Sequence, residues 1–170
     1  PLIPRSNPRN VPQRAIQGLS GPSQRAMSQG SATEGQSDVQ TSLITQEFIQ
    51  FARGHFELDW AGIHGAAHWA RARRNGLELA AREGGNPRVV EYFAFTHDLC
   101  RHDDFMDAGH GRRAAKLARK LNGRLIHLND SEIELLTAAC SHHSKGFTKA
   151  DITVQCCWDA DRLDLTRLGI

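Results

Sequence analysis

The chain has 170 residues, 24% of them charged and 39% hydrophobic, with a formal net charge of +2. That length accommodates one domain. All of the net charge resides in residues 1–42, where Arg5, Arg9, Arg14 and Arg25 face only Glu34 and Asp38; the balanced remainder argues against nucleic-acid binding driven by phosphate neutralisation.

Residues 1–42 carry five of the six prolines and are rich in Ser, Gln, Gly and Asn. Such a composition buries too little apolar surface to offset the entropy of ordering, so a disordered tail is expected. Because the chain opens on Pro1 rather than Met, an N-terminal piece is expected to be missing. No apolar run is long enough for a signal h-region or a membrane span.

From Thr45 onward the pattern is helical. A first helix over about 45–53 is expected to stop at Gly54. A second runs from about Gly62 to Glu83 and is closed by Gly84 and Gly85. Pro87 opens a third, which continues through Val89, Val90, Phe93 and Phe95 to Cys100. A fourth, about 108–121, repeats alanine and leucine and stops near Gly123. The fifth begins near Ser131, with Glu134 completing a capping box, and the sixth follows Asp151. Nothing alternates with a two-residue period between turn signals, so no sheet is expected. The reading is a single all-α domain of five or six helices over residues 43–170, behind the tail. Cys100, Cys140, Cys156 and Cys157 fall inside apolar helical patterns without CxxC spacing, as reduced core cysteines of a cytoplasmic protein would.

Several polar residues do not suit such a core. In the sixth helix Val154, Cys157, Trp158, Leu165 and Leu168 form one stripe with Asp161 at its centre, Asp159 opposite and Asp164 at the margin. A buried carboxylate needs a partner, either a metal ion or an arginine. His97 and Asp98 are adjacent on the apolar third helix, and their side chains diverge by about one hundred degrees around the axis. His64 and His68 are four apart, a spacing used by two-histidine metal sites, but Gly65 stands where a zinc protease needs glutamate. His143 shares a face with Leu136, Ala139 and Cys140, whereas His142 points aside. No Ser-His-Asp arrangement, reactive cysteine or phosphate-binding GxxxxGK[ST] loop competes.

His68, then His97-Asp98, then Asp161 within Asp159-Ala-Asp-Arg-Leu163, resembles the H…HD…D pattern of the HD-domain superfamily of metal-dependent phosphohydrolases. The resemblance covers about residues 60–170, and His68-Trp-Ala-Arg71-Ala72 fits its first motif better than His64 does. His110-Gly-Arg-Arg-Ala-Ala115 and His143-Ser-Lys-Gly146 are similar to the two further histidines of dinuclear members. The resemblance implies a helical bundle with metal at its centre. It implies a first ion on His68, His97, Asp98 and Asp161, and Asp98 bridging to a second on His110 and His143. It also implies hydrolysis of a phosphate ester of a nucleotide or other small molecule by metal-activated water.

Iron or manganese is the expected metal, with zinc, magnesium, nickel and cobalt as further candidates. His64 and Arg71, with Asp98, are the candidate catalytic residues beyond the ligands. Arg101, Arg112, Arg113, Lys145 and Arg162 are further phosphate-binding candidates. Asp98 and His110 are only 12 positions apart, which leaves a single-metal site open. The same ligands serve HD-type diiron oxygenases, and a non-enzymatic metal-binding regulatory module is a third reading. The chain ends at Ile170, soon after the last ligand, so a further C-terminal element could help close the pocket.

Overall fold

In the computed structural model, residues 41–169 are described. Six helices follow one another: α1 (Gln46–His55), α2 (Ala66–Glu83), α3 (Pro87–Thr96), α4 (His110–Leu121), α5 (Asp130–His142) and α6 (Ile152–Leu165). Short 3-10 turns follow α5 at His143–Lys145 and α6 at Thr166–Leu168, and there is no strand among the described residues. The architecture is the expected all-α bundle. Except for Thr41 and Ser42, the tail expected to be disordered lies outside the described residues. Ser42 already touches the bundle, donating from its hydroxyl to the buried Glu91 carboxylate at 2.7 Å.

α3 is the central element. Val89, Val90, Tyr92, Phe93 and Ala94 are all buried, and the helix packs against α2, α4, α5 and α6. Its start is local chemistry: Asn86 accepts from the Arg88 and Val89 backbone N–H groups, and Pro87 takes the first helical position. Behind α2, Trp69 meets Phe56 and Trp60 edge-on, with ring centroids 5.0 and 5.3 Å away. Such pairs contribute about 0.5–1.5 kcal/mol each beyond their buried area, and they anchor the helix turn that carries His68. α4 and α5 approach closely because Gly111, Ala114, Ala115 and Ala118 line the buried face of α4.

Several boundaries differ from expectation. α1 continues one residue past Gly54, and Phe56 caps it through a backbone bond to Ala52. The capping box of α5 is built by Asn129 and Glu132, not Ser131 and Glu134; the Ser131 hydroxyl instead donates to the Asn129 side chain. α4 begins at His110 because Asp107 holds the preceding turn, accepting from the Gly109 N–H at 3.2 Å.

Two changes matter for the site. α2 begins at Ala66, so His64 precedes the helix rather than riding on it. The chain before it folds into turns, with Gly62 N–H bonded to Asp59 O and Ala66 N–H to Trp60 O. Gly65 permits this, since a Cβ there would lie 2.2 Å from the Trp60 carbonyl oxygen. α3 stops at Thr96 instead of continuing to Cys100. The Thr96 hydroxyl donates to Tyr92 O at 2.8 Å and the His97 ring to Phe93 O at 3.1 Å. The His97 N–H still bonds Phe93 O at 3.0 Å, and beyond it the chain tightens into turns, with the Leu99 N–H on Thr96 O and the Arg101 N–H on Asp98 O.

Candidate metal centre

Breaking α3 at this point places His97 and Asp98 between the other helices. His68 comes from the first turn of α2, His97 caps α3, and Asp161 projects from α6. The Nε2 atoms of His68 and His97 are 3.0 Å apart. Asp161 Oδ1 lies 3.3 Å from the first and 3.6 Å from the second. A second group forms where α4 begins and α5 ends. His110 Nε2 and His143 Nε2 are 2.8 Å apart, with Asp98 Oδ1 at 3.3 and 3.5 Å from them. The other Asp98 oxygen faces the first group, at 3.9 Å from His68 Nε2 and 3.7 Å from His97 Nε2. One carboxylate thus divides its two oxygens between two sets of donors, and all six residues are buried.

The outer nitrogens of the four histidines fix their tautomers. His68 Nδ1 donates to Asp164 Oδ2 at 2.7 Å, His97 Nδ1 to Phe93 O at 3.1 Å and His143 Nδ1 to Cys140 O at 2.8 Å. His110 Nδ1 donates to Asp107 O. Each Nε2 therefore presents its lone pair inward, so each facing pair of nitrogens holds two lone pairs against one another. A cation between them resolves that repulsion. Imidazoles oriented through Nδ1 and converging with a carboxylate are the arrangement of histidine-rich metal sites.

Charge agrees with this. Burial works against ionised Asp98, yet His97, His143 and His64 hold its carboxyl well below the usual range. Asp161 is likewise held low against burial, by His68 and His97. Burial lowers the His110 imidazole to about 4 despite the opposing pull of Asp98, which favours the neutral, lone-pair form. At His68 burial is outweighed by Asp161 and Asp164, and its pKa is raised. The centre thus sets carboxylate charge beside imidazole nitrogens, and oxygen and nitrogen donors of this kind fit a divalent ion.

His64 lies over this centre. Its Nδ1 is 2.8 Å from Asp98 Oδ2 and its Nε2 3.1 Å from Asp104 O. Arg71 is not turned to the donor atoms. It bonds both oxygens of Asp164, which Arg167 also contacts. Asp164 is the residue that sequence reasoning passed over. It is buried rather than marginal and orients His68. The only signal available was that it lies three residues after Asp161, on an adjoining part of the same helix. No arginine bonds Asp161 among the described residues; the arginines go to Asp164 instead. Leu165, expected in the α6 stripe, is the last helical residue and half-buried, and the side chain of Leu168 lies outside the described set.

Of the other basic candidates, Arg101 Nη1 is 3.1 Å from Asp98 Oδ1. Arg113 braces the loop by bonding Cys100 O and Asp107. Arg112 is exposed, and Arg162 bonds Asp159 and Phe147 O on the far side of α6. A cavity of about 270 Å³ opens beside the second group, lined by Arg101, Phe105, Met106, His110, Ser144 and Lys145. His55, His102, His127 and His142 are exposed. The four cysteines are free and buried. Among the described residues no helix is long and apolar enough to cross a membrane.

No protein-family model matches the chain, and no curated protein matches it. Among solved structures the chain is similar to a predicted HD superfamily hydrolase from an uncultured Thermotogales bacterium. The identity is 23% and the TM-score 0.58, over 72% of this chain and 71% of the other. The chain shares the fold of that protein over the matched part and carries at its centre a His/Asp cluster that could hold a metal ion.

Proposed function

We propose that the protein is a metal-dependent phosphohydrolase acting on a phosphate ester of a nucleotide or another small molecule. The observation that carries this reading is the division of Asp98 between two convergent donor groups at the edge of an open cavity. His68, His97, Asp98 and Asp161 would hold one ion and Asp98, His110 and His143 a second, with iron or manganese best suited to the donors. Bound there, the metal would acidify a water molecule and neutralise phosphoryl charge.

The chain's own residues supply the rest. The Asp164 carboxylate, held by Arg71 and Arg167, keeps the His68 lone pair aimed inward. His64 holds Asp98 from the opposite side. Lys145 and Ser144 line the cavity wall, where an ammonium and a hydroxyl meet phosphate oxygens. Phe105 and Met106, 85% and 90% exposed, offer an apolar surface at the same mouth, suited to a flat group such as a nucleobase. The free, buried cysteines fit a reducing, cytoplasmic setting.

The test is metal content by mass spectrometry on protein purified with and without oxygen, followed by parallel phosphate-release and oxygen-uptake assays. About two ions per chain, falling toward one in His110→Ala, together with phosphate release that disappears in Asp98→Ala, is the expected result. Oxygen consumption without phosphate release would turn the reading to an HD-type oxygenase. Activity surviving in Asp98→Ala would sink the scheme, and no metal in the wild type would leave a binding module.

A further inference from the structure

We propose that Arg101 is a built-in competitor for the second ion: its guanidinium occupies the Asp98 and His110 donors of the second group and has to leave before an ion takes them. The inference rests on the dinuclear reading above and concerns the order and affinity of filling. Arg101 Nη1 lies 3.1 Å from Asp98 Oδ1 and 3.3 Å from His110 Nε2. The Arg101 side chain is 11% exposed, so the charge is committed inward rather than solvated.

The exclusion is one of lone pairs. His110 Nδ1 carries the ring proton, which it donates to Asp107 O. Its Nε2 has a single lone pair. That pair either accepts the Arg101 N–H or binds an ion. It cannot do both. A guanidinium is never deprotonated under ordinary conditions, so its positive charge also stays against Asp98 Oδ1 and opposes a divalent ion there.

The first group faces no guanidinium; the side chain on its Asp98 oxygen is the His64 ring, whose Nδ1 lies 2.8 Å from Oδ2. No lysine or arginine nitrogen bonds the side chains of His68, His97 or Asp161 among the described residues. Its His68 is backed by the carboxylate of Asp164, whereas His110 and His143 are backed only by backbone carbonyls. A carboxylate makes an imidazole a stronger donor than a carbonyl does. Both differences point the same way: the first ion binds tightly, and the second binds weakly because it displaces Arg101.

The side chain also has somewhere to go. Its Nε bonds Asp103 O at 3.3 Å, and the residue lines the 270 Å³ cavity next to Ser144 and Lys145. Rotation of the side-chain carbons carries the whole planar guanidinium toward that cavity, and the 3.3 Å bond of Nε to Asp103 O is given up with it.

The experiment is a calorimetric titration of manganese into the metal-stripped full chain, for wild type, Arg101→Gln and Arg101→Lys. The expected wild-type isotherm has a tight and a weak step. In Arg101→Gln the weak step tightens by about tenfold or more, the penalty lifted when the competing conformer is removed, while the tight step is unchanged. Arg101→Lys, which keeps the charge without the fork, falls between them. The tight step and the circular dichroism spectrum report that each variant is folded. A second step that is unchanged or weaker in Arg101→Gln overturns the competitor role and leaves the metal centre standing. No manganese step in any of the three proteins overturns the metal-centre reading and this inference with it.

Discussion

Asp164 and His68 are 96 residues apart in sequence, yet Asp164 Oδ2 accepts the His68 Nδ1 proton at 2.7 Å. The same carboxylate is gripped by Arg71 from α2 and by Arg167 beyond α6. It therefore sets both the tautomer and the orientation of a donor that converges with His97 and Asp161. Asp164→Asn keeps the shape and removes the charge. The expected outcome is a fall of about 10–100-fold in affinity for the first ion, with helix content unchanged. Metal titration read beside circular dichroism checks this. Unchanged affinity would mean that His68 is held by packing alone.

The same carboxyl sets a stability change with pH. Burial would raise it, but bonds from Arg71, His68 and Arg167 win and bring it from 3.8 to about 2. A carboxyl whose folded pKa lies below its unfolded value adds stability above the unfolded value and loses it as pH falls through the folded one. The window is thus about pH 4 down to about pH 2, and a shift of this size corresponds to about 2 kcal/mol. Asp107, likewise about 2 against burial through His102, Arg113 and Gly109, steepens the same window. Urea unfolding of the metal-stripped protein across that range should show a shallower loss in Asp164→Asn than in wild type. Parallel curves would show that Asp164 titrates no differently in the folded chain.

These contacts mark where sequence reading stops. The six helices were legible because apolar spacing and boundary residues such as Gly84, Pro87 and Asp151 are local signals. Asp161 stood out as a carboxylate at the centre of an apolar stripe. Asp164 did not, because its burial depends on α2 lying alongside α6, a fact no window of sequence contains. The end of α3 was missed for a different reason. Its apolar pattern runs on through Leu99 and Cys100, and the turns that replace the helix there, Leu99 N–H to Thr96 O and Arg101 N–H to Asp98 O, leave no mark in that pattern. The placement of His64 follows from turns at Gly62 and Gly65 that a helical spacing to His68 concealed.

Gly111 offers a test of how the second group is built. A Cβ at this position would lie 2.3 Å from the Cys140 carbonyl oxygen and 3.2 Å from the His143 ring. Backbone oxygen cannot step aside, so Gly111→Ala should push α4 from α5 and pull His110 away from His143. Overpacking of this kind costs about 1–3 kcal/mol, seen as a lower melting temperature. Metal content should drop by about one ion per chain, because only the group that spans α4 and α5 is disturbed. A lower melting temperature with both ions retained would show that the histidine pair tolerates the shift.

Asp103 controls the other side of the cavity. Its Oδ1 accepts the backbone N–H groups of Phe105 and Met106, both at 2.7 Å, and so shapes the turn that presents these exposed side chains. Those bonds hold its carboxyl below the ordinary value. Asp103→Ala removes them without touching any metal donor. Amide exchange at residues 104–108 should quicken, because the Phe105 and Met106 N–H groups lose their acceptor, while α2, α3 and α6 keep their protection; the ties from His64 to Asp104 O, Arg101 to Asp103 O and Arg113 to Asp107 still hold the loop's ends. If the phosphohydrolase reading holds, KM for a nucleotide should rise and kcat should change little, because the apolar wall binds substrate without meeting the reacting phosphate. An equal fall in kcat and kcat/KM would instead place the loop's order within the chemical step itself.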